Sequence, residues 1–223
     1  MTTLDLFPLY LTFKVALVST LLVFGVGLII AYLLAKKDFG GKNLIDALIM
    51  QPLVIPPTVL GYYLLVVFGR FGPLGQFFEE TFGIQIAFTW KGAVIAASVA
   101  SLPLFVKASR AGLEGVEARF ENAARLLGKS EWQVFYTITL PLAWKGIAAG
   151  TVMAFARAVG EFGATLMVAG NIPGKTQTIS IAIYSAVQAG ETAQANSLVL
   201  IVTLFSIAML ITANQLTKGR YLT

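Results

Sequence analysis

The sequence predicts an all-α membrane protein with five transmembrane helices and one short surface helix. Hydrophobic residues make up 57% of the 223 residues and charged residues only 12%, whereas about a quarter of a soluble domain is charged. Five stretches are long and apolar enough to cross a bilayer, which requires about 20 apolar residues per helix. These observations exclude an ordinary cytosolic enzyme.

The residue types that the chain lacks narrow the chemistry further. It contains no cysteine and no histidine, which excludes thiol nucleophiles, disulfides, Cys/His zinc sites and histidine general bases. We therefore expect no metal site, no cofactor and no catalytic residue in this chain. The net charge of +5 is expected to mark membrane orientation and not a nucleic-acid partner, which would require a solvated basic face.

The first two predicted spans cover residues 8–35 and 44–68. The first is longer than the apolar region of a cleaved signal peptide, and further spans follow it, so it is not expected to be one. The second contains Pro52, Pro56 and Pro57, and each proline removes a backbone donor and clashes with the preceding helical turn. Span two is therefore expected to be kinked or unwound. The break could be a static packing kink, or it could line a translocation pathway together with Gln51 and Thr58.

The third predicted span covers residues 90–106, and a long charged connection, residues 107–132, follows it. Apolar residues recur there at three- and four-residue steps, which predicts an amphipathic helix with the charged residues on another face. Gly128 is expected to end this helix and Ser130 to cap the next one. The apolar positions are Val116, Phe120, Ala123, Ala124 and Leu127, and the charged ones are Glu117, Glu121, Arg125 and Lys129. The pattern fits an interfacial helix on lipid headgroups or a docking helix for a cytoplasmic partner.

The last two predicted spans cover residues 134–156 and 197–216. The semi-polar segment 159–196 between them is expected to contain a broken or partly inserted helix. Arg157 and Glu161 are four residues apart near the outer end of span four, so they are predicted to form an ion pair on one face. An alternative role for Arg157 is to guide an anion. Gly146 and Gly150 form G-x-x-x-G, which predicts close packing of another helix.

The distribution of basic residues predicts the orientation of the chain, because cytoplasmic loops near membrane spans retain Lys and Arg. Ten of the 16 basic residues lie on one predicted side. These ten are Lys36, Lys37, Lys42, Lys107, Arg110, Arg119, Arg125, Lys129, Lys218 and Arg220. The N-terminus is therefore expected outside and the C-terminus in the cytoplasm.

A spaced motif in the long connection carries a family resemblance. Asn122-Ala123-Ala124, then Gly128, then Ile138-Thr139-Leu140-Pro141 resembles the E-A-A-x-x-x-G-x9-I-x-L-P signature of ABC importer permeases. Asn122 is a departure, because the common pattern has Glu there and the acid in this chain stands one place earlier, at Glu121. The resemblance implies an ABC transmembrane type-1 domain over residues 9–213, with a cytoplasmic coupling helix in residues 107–132.

Two further stretches resemble the molybdate permease subunits of type I ABC importers. They run over residues 51–61, continuing to 68–75, and over residues 156–178. Sulfate and tungstate permeases share part of this pattern, so these substrates remain alternatives. The resemblance implies a multi-pass subunit of the bacterial inner membrane that translocates an oxyanion. Its implied partners are a second copy of itself, two cytoplasmic ATP-binding subunits, an extracytoplasmic oxyanion-binding protein and membrane lipid.

The resemblance also implies two groups of functional residues. The candidates for docking the ATP-binding subunit are Glu114, Glu117, Glu121, Asn122, Ala123, Ala124, Arg125, Gly128, Lys129 and Ser130. The candidates for the pathway and its gate are Gln51, Pro52, Pro56, Pro57, Thr58, Arg157 and Glu161. The chain has no G-x-x-x-x-G-K-[ST] motif, so the energy for transport is expected to come from another subunit.

Two hypotheses of other classes remain open at this stage. A stand-alone secondary transporter or channel would need intramembrane acids for ion coupling, and the predicted spans offer only Asp46, near an end. A non-transporting membrane scaffold for a cytoplasmic ATPase would use the same docking helix.

Overall fold

The computed structural model describes residues 5–217, and within that range every regular element is helical. The described residues form eleven α-helices, one short 3-10 turn and one short π-helical turn. Their bounds are α1 Phe7–Lys36, α2 Lys42–Met50, α3 Pro57–Phe68, α4 Pro73–Phe82, α5 Trp90–Glu114, α6 Ala118–Leu126, α7 Glu131–Val134, α8 Leu140–Val159, α9 Gly163–Ala169, α10 Ile179–Gln188 and α11 Thr192–Thr217. A 3-10 turn, Gln51–Leu53, ends α2, and a π-helical turn, Phe135–Thr139, joins α7 to α8.

The predicted number of spans agrees with the structure. Four helical stretches within the described residues are long and apolar enough to cross a membrane: Phe7–Lys36, Trp90–Glu114, Glu131–Val159 and Thr192–Ile211. A fifth span is obtained if the pair Lys42–Leu53 and Pro57–Phe68, bent by 113°, counts as one. The bend lies at the three prolines, which confirms the predicted break in span two.

Helix α5 is longer than predicted span three. It does not stop near residue 106 but continues to Glu114, so residues 107–114 are helical and do not form part of a loop. Val106 and Leu113 are fully buried, in one apolar cluster with residues of α1 and α8. This packing extends the helix past the charged residues Lys107 and Arg110, which hydropathy alone treats as the start of a loop.

The core forms where α1, α5 and α8 pack together, and two glycines allow α5 and α8 to approach closely. A Cβ atom added to Gly146 would lie 2.6 Å from Gly112 Cα, and one added to Gly150 would lie 2.9 Å from the Phe105 carbonyl oxygen. Neither position has room for a side chain. The predicted packing role of Gly146 and Gly150 is confirmed.

A second set of glycines fixes the turn between α3 and α4. A Cβ atom at Gly72 would collide with the Val66 carbonyl oxygen, and one at Gly75 with the Gly69 carbonyl oxygen. The Gly72 amide also donates a hydrogen bond of 2.9 Å to the Gly69 carbonyl. The two helices therefore meet backbone against backbone, in a turn that we call the glycine elbow (residues 69–75).

The segment between the fourth and fifth spans is broken, as predicted. It contains the short helices α9 and α10, and the chain between them includes Gly170 and Gly174, both with positive φ. Helix α9 packs against α3: a Cβ atom added to Gly61 would lie 2.6 Å from Met167 Cβ. The segment thus returns to the helix bundle and does not form an extended loop.

Candidate functional site: the α6 helix and the broken spans

Helix α6 is a nine-residue helix between the spans α5 and α7–α8, and both turns at its C-terminal side are well defined. Gly128 has φ +82°, its amide bonds to the Arg125 carbonyl at 2.9 Å, and the Lys129 amide bonds to the Ala124 carbonyl at 3.1 Å. This is a Schellman motif. Ser130 then forms a capping box with Gln133. Both sequence predictions, Gly128 as the helix end and Ser130 as the next cap, are confirmed.

One buried carboxylate anchors α6 to the spans. Glu121 is only 6% exposed, and its Oε2 atom lies 3.1 Å from Lys36 Nζ, at the last turn of α1. Thr139 donates a hydrogen bond of 2.6 Å to Glu121 Oε1 from the π-helical turn. Lys36 Nζ also donates to the Val116 carbonyl, at 3.1 Å. Glu121 therefore joins α6 to α1 and to the start of the fourth span through two charge-assisted hydrogen bonds.

The prediction of which face of α6 points outward is wrong in part. Glu121 was expected among the exposed charged residues, but its carboxylate is turned inward beside the buried Ala124. Phe120 and Leu127, expected on the apolar face, are exposed at 44% and 82%. The reason is the buried Lys36–Glu121 pair, which orients the helix more strongly than its small apolar residues do. Glu121 thus holds α6 in place and is not itself available for contact with a partner.

Ala124, also a docking candidate, is buried at 5% exposure and Lys129 is half-buried, whereas most of the other candidates lie on the exposed side of α6 or beside it. Arg125 forms a bidentate ion pair with Glu131, at 2.7 and 3.1 Å, and donates to Asn122 Oδ1 at 2.8 Å. The hydrogen bond to Glu131 raises the pKa of Arg125 above its ordinary value. Glu114 is different, because it ends α5 and pairs with Arg110 at 2.7 Å. The candidates exposed at this surface are Glu117, Asn122, Ala123, Arg125, Gly128 and Ser130.

Sequence reasoning missed two residues of this anchor, Lys36 and Thr139. Lys36 stands beside Lys37 at the end of a span, where positive charge is expected for orientation alone. Thr139 lies in the I-x-L-P part of the motif, at the position written as x. One feature of the sequence pointed to this anchor: the acid of the motif stands at position 121 and not at 122. An acid at position 121 can pair with a basic residue at the end of a span.

The pathway candidates are brought together where two broken spans meet. Helix α3 begins at Pro57 and helix α9 at Gly163, and a Cβ atom added to Gly163 would lie 2.8 Å from Pro57 Cβ and 3.6 Å from the Thr58 amide nitrogen. Glu161 lies two residues before Gly163. The starts of the two half-helices are thus neighbours, with Thr58 exposed beside them. Gln51 and Pro52 lie in the 3-10 turn on the other arm of the bend, which packs against α5.

Arg157 and Glu161 form the predicted ion pair, with Nη1 and Oε2 2.6 Å apart. Glu161 is 3% exposed, and its Oε1 atom accepts a hydrogen bond of 2.9 Å from the Ala164 amide at the start of α9. The carboxylate therefore binds both the end of α8 and the start of α9. Burial of the charge is tolerated here because Oε1 accepts a hydrogen bond and Oε2 has the Arg157 guanidinium as its ionic partner, although no donor is aligned for a hydrogen bond to Oε2.

The Arg157–Glu161 pair lies at the break between α8 and α9. Gly160 ends α8, and the seven residues of α9, about 10 Å at 1.5 Å per residue, follow the pair. The Val168 carbonyl, near the end of α9, accepts a hydrogen bond of 2.9 Å from the Phe88 amide just before α5. The position of the pair at the outer end of span four stays a prediction.

Charged residues cluster at the two ends of the helix bundle. The α6 end holds the Lys36–Glu121 pair and the Arg110–Asp46 pair, at 3.1 Å each. At the opposite end Lys14 Nζ lies 3.9 Å from the centre of the Trp90 ring. Asp46, the acid that a secondary transporter would need, is thus engaged by Arg110.

Lys218 and Arg220 of the predicted cytoplasmic group lie outside the described residues. Within residues 5–211 no three His, Cys, Asp or Glu side chains are grouped so that they could hold a metal ion.

Solved structures with low sequence identity share this fold. The chain is similar to a subunit of the MetNI methionine ABC transporter in an inward facing conformation, with TM-score 0.72 and 16% identity over 97% of this chain and 95% of that one. It is also similar to a chain of a bacterial ABC transporter involved in the import of the acidic polysaccharide alginate, with TM-score 0.76 and 13% identity over 99% and 81%. The predicted fold class, a permease of the ABC importer type, is confirmed.

Sequence relatives are much closer. The chain is 48% identical over 203 residues to the molybdenum transport system permease protein ModB of Escherichia coli strain K12, covering 90% of this chain and 89% of the relative. It is 44% identical over 216 residues to ModB of Haemophilus influenzae, covering 96% and 94%. The sulfate transport system permease protein CysT of Escherichia coli is 33% identical over 190 residues, covering 85% and 68%.

The family match agrees with both comparisons. Residues 24–218 match the family of binding-protein-dependent transport system inner membrane components, a range that includes α6, its anchor Glu121–Lys36 and both broken spans. The chain belongs to that family: it is a multi-pass inner membrane component of a binding-protein-dependent transport system.

Proposed function

We propose that this chain is the membrane-spanning permease subunit of an ATP-driven importer of molybdate. The observation that carries the proposal is the 48% and 44% identity to two molybdenum permeases over nearly the whole chain, against 33% to a sulfate permease. The subunit itself carries out no bond chemistry. ATP is hydrolysed by a separate ATP-binding subunit, and an extracytoplasmic binding protein delivers the oxyanion.

In this proposal α6 is the coupling helix that the ATP-binding subunit contacts. The Schellman turn fixes the end of α6, and the capping box fixes the start of α7 directly after it. Glu121 binds α6 to α1 and to the fourth span. A displacement imposed on α6 is therefore passed to two spans at once. The α6 end is cytoplasmic, which puts the N-terminus outside, and two copies of the chain form the pore.

The pathway lies where the two broken spans meet. Gln51, the three prolines and Thr58 belong to one break, and Arg157 with Glu161 belongs to the other. Irregular backbone at membrane depth is tolerated only against protein or a water-filled cavity. Weak contacts suffice along such a route, because tight binding would slow release of the anion.

A substitution on the exposed end of α6 tests docking. Leu126 is 90% exposed, and an apolar residue buried at an interface contributes about 1.5–3 kcal/mol. In Leu126→Asp we expect the affinity of the detergent-solubilised permease for its ATP-binding subunit, measured by titration of the copurifying subunit, to fall at least about tenfold, since a loss of about 1.4 kcal/mol is already a tenfold change.

The matched control is Leu126→Met, which keeps an apolar side chain and is expected to retain the partner. The melting temperature of the permease alone should stay the same in both variants, because Leu126 makes few internal contacts. Equal retention by Leu126→Asp and the parent would contradict a docking role for this end of α6.

Substrate identity is tested by uptake of labelled molybdate in cells that carry the whole transporter. We expect unlabelled molybdate and tungstate to compete at similar concentrations, and sulfate to compete only at about tenfold or higher concentration, a difference of about 1.4 kcal/mol. Competition by sulfate at a lower concentration than by unlabelled molybdate would reject molybdate as the preferred substrate and favour the sulfate alternative. Uptake that persists without the ATP-binding subunit would instead favour a stand-alone transporter.

A further inference from the structure

An aromatic groove lies at the α6 end of the bundle, between the last turns of α1 and the α7–π segment. Its volume is about 480 Å³. The wall on α1 is made by Leu28, Ile29, Tyr32 and Leu33, the facing wall by Trp132, Phe135 and Tyr136, and the rim by Lys37 and Glu131. None of these residues belongs to the anchor of α6 or lies at the breaks in the spans.

The two walls are held in place by ring contacts. Tyr32 and Phe135 meet edge to face across the groove, with ring centres 5.2 Å apart. Trp132 stacks on Tyr136 at 6.0 Å. Edge-to-face and stacked aromatic pairs are favourable, so the groove is preformed. Trp132 nevertheless remains 73% exposed and Ile29 64% exposed, which leaves a large apolar surface open.

Charge at the rim selects the kind of molecule that covers this surface. The Glu131 carboxylate is engaged by Arg125 through two hydrogen bonds, so its charge is compensated. Lys37 forms no ion pair with any side chain that the structure describes, and it is exposed. Two cations, Lys37 and Arg125, thus face one carboxylate, Glu131, so the rim carries one net positive charge beside two exposed aromatic side chains, at the end of two membrane-crossing helices.

We propose that the groove binds one anionic phospholipid, with an acyl chain between Ile29 and Trp132 and the headgroup phosphate at Lys37. Aromatic residues at span ends sit at the level of lipid headgroups, and the stretch from Leu28 to Lys37 rises about 13 Å at 1.5 Å per residue, which places the apolar wall at acyl-chain depth. The lipid would join α1 to the segment that carries Thr139, and so would brace the anchor of α6. This site is separate from the path of the transported anion.

Quenching of Trp132 fluorescence by lipids with brominated acyl chains tests the proposal. The full chain with Trp90→Phe and Trp144→Phe retains Trp132 as its one tryptophan, and it is placed in nanodiscs with either brominated phosphatidylglycerol or brominated phosphatidylcholine. A lysine near the surface contributes about 1 kcal/mol to binding of an anionic lipid, a factor of about five. We therefore expect half-maximal quenching at a mole fraction of phosphatidylglycerol about fivefold lower than that of phosphatidylcholine.

Lys37→Gln should abolish this difference, whereas Lys107→Gln, an exposed lysine on α5, should preserve it. A second reporter chain that retains only Trp144 should show no preference between the two lipids. Equal quenching of Trp132 by both lipids would overturn the proposal, because the groove would then hold bulk lipid without selection. A preference that survives Lys37→Gln would overturn it too, as would protection of Trp132 from both lipids, which would mean that protein covers the groove.

Discussion

Glu121→Ala is expected to uncouple ATP hydrolysis from uptake. The substitution leaves Lys36 Nζ without its carboxylate and Thr139 without its acceptor, in a site where the two charged side chains are 16% and 7% exposed. Removing one partner of a buried ion pair costs about 3–5 kcal/mol, and even about 3 kcal/mol changes the balance between attached and detached α6 by a factor of about 100. We expect molybdate transported per ATP hydrolysed, measured in proteoliposomes with the complete transporter, to fall at least tenfold.

Two further variants separate coupling from general damage. In Lys36→Met with Glu121→Leu both charges are replaced by apolar groups of similar size, which is often neutral for stability, so most of the coupling should return. Asp38→Ala removes an exposed ion pair with Lys42 at the same end, worth at most about 1 kcal/mol, and should change nothing. If the double variant transports no better than Glu121→Ala, the carboxylate has a role besides anchoring.

Gly146→Val should destabilise the permease more than any exposed substitution. The added Cβ atom would lie 2.6 Å from Gly112 Cα and 3.0 Å from the Ala108 carbonyl oxygen, and backbone atoms cannot rotate away as a side chain can. Forcing extra atoms into a packed core costs about 1–3 kcal/mol or more, and about 3 kcal/mol corresponds to a loss of about 6–12 °C in melting temperature for a chain of this length. Thermal unfolding in detergent, followed by tryptophan fluorescence, measures this directly.

Gly25→Ala is the matched control, because Gly25 lies inside α1 with nothing within 4 Å of a Cβ atom added there. Its melting temperature should equal or slightly exceed that of the parent, since alanine is preferred to glycine inside a helix by about 0.5–1 kcal/mol. Gly112→Ala should behave as Gly146→Val does, because the same two backbones would be separated. Equal melting temperatures for Gly25→Ala and Gly146→Val would contradict the close contact of α5 with α8.

The spans and their breaks were predictable because each depends on local sequence. Hydrophobic length identifies α1 and α11 without reference to any other part of the chain, and the prolines at 52, 56 and 57 remove backbone donors wherever they stand. The same holds for Gly128, whose positive φ follows from its place after an amphipathic stretch. The all-α membrane class, the number of spans and the C-terminal end of α6 follow from such local rules.

The depth of each charged residue was not predictable, because it depends on partners far away in the chain. Glu121 looks like any charged residue on a surface helix until Lys36, 85 residues away, is brought to it. Lys107 and Arg110 look like a loop until packing of Leu113 extends α5 beyond them. Glu161 looks like one half of a simple helix-end ion pair until the Ala164 amide at the start of α9 is brought to its second oxygen. In each case a tertiary contact overrides the local pattern.

In the proposed orientation α4 lies on the outer side of the membrane. The glycine elbow determines how a force on α4 is transmitted. Since the Val66 and Gly69 carbonyl oxygens leave no space at Gly72 and Gly75, α3 and α4 cannot change their mutual angle without separating their backbones. Helix α3 in turn packs closely on α9 through Gly61. A force applied to α4 from outside is therefore not absorbed at the turn. Helix α4, with 10 residues, acts as the shorter arm of a rigid lever, and α3, with 12 residues, is the longer arm, which ends at Pro57 where the two breaks meet.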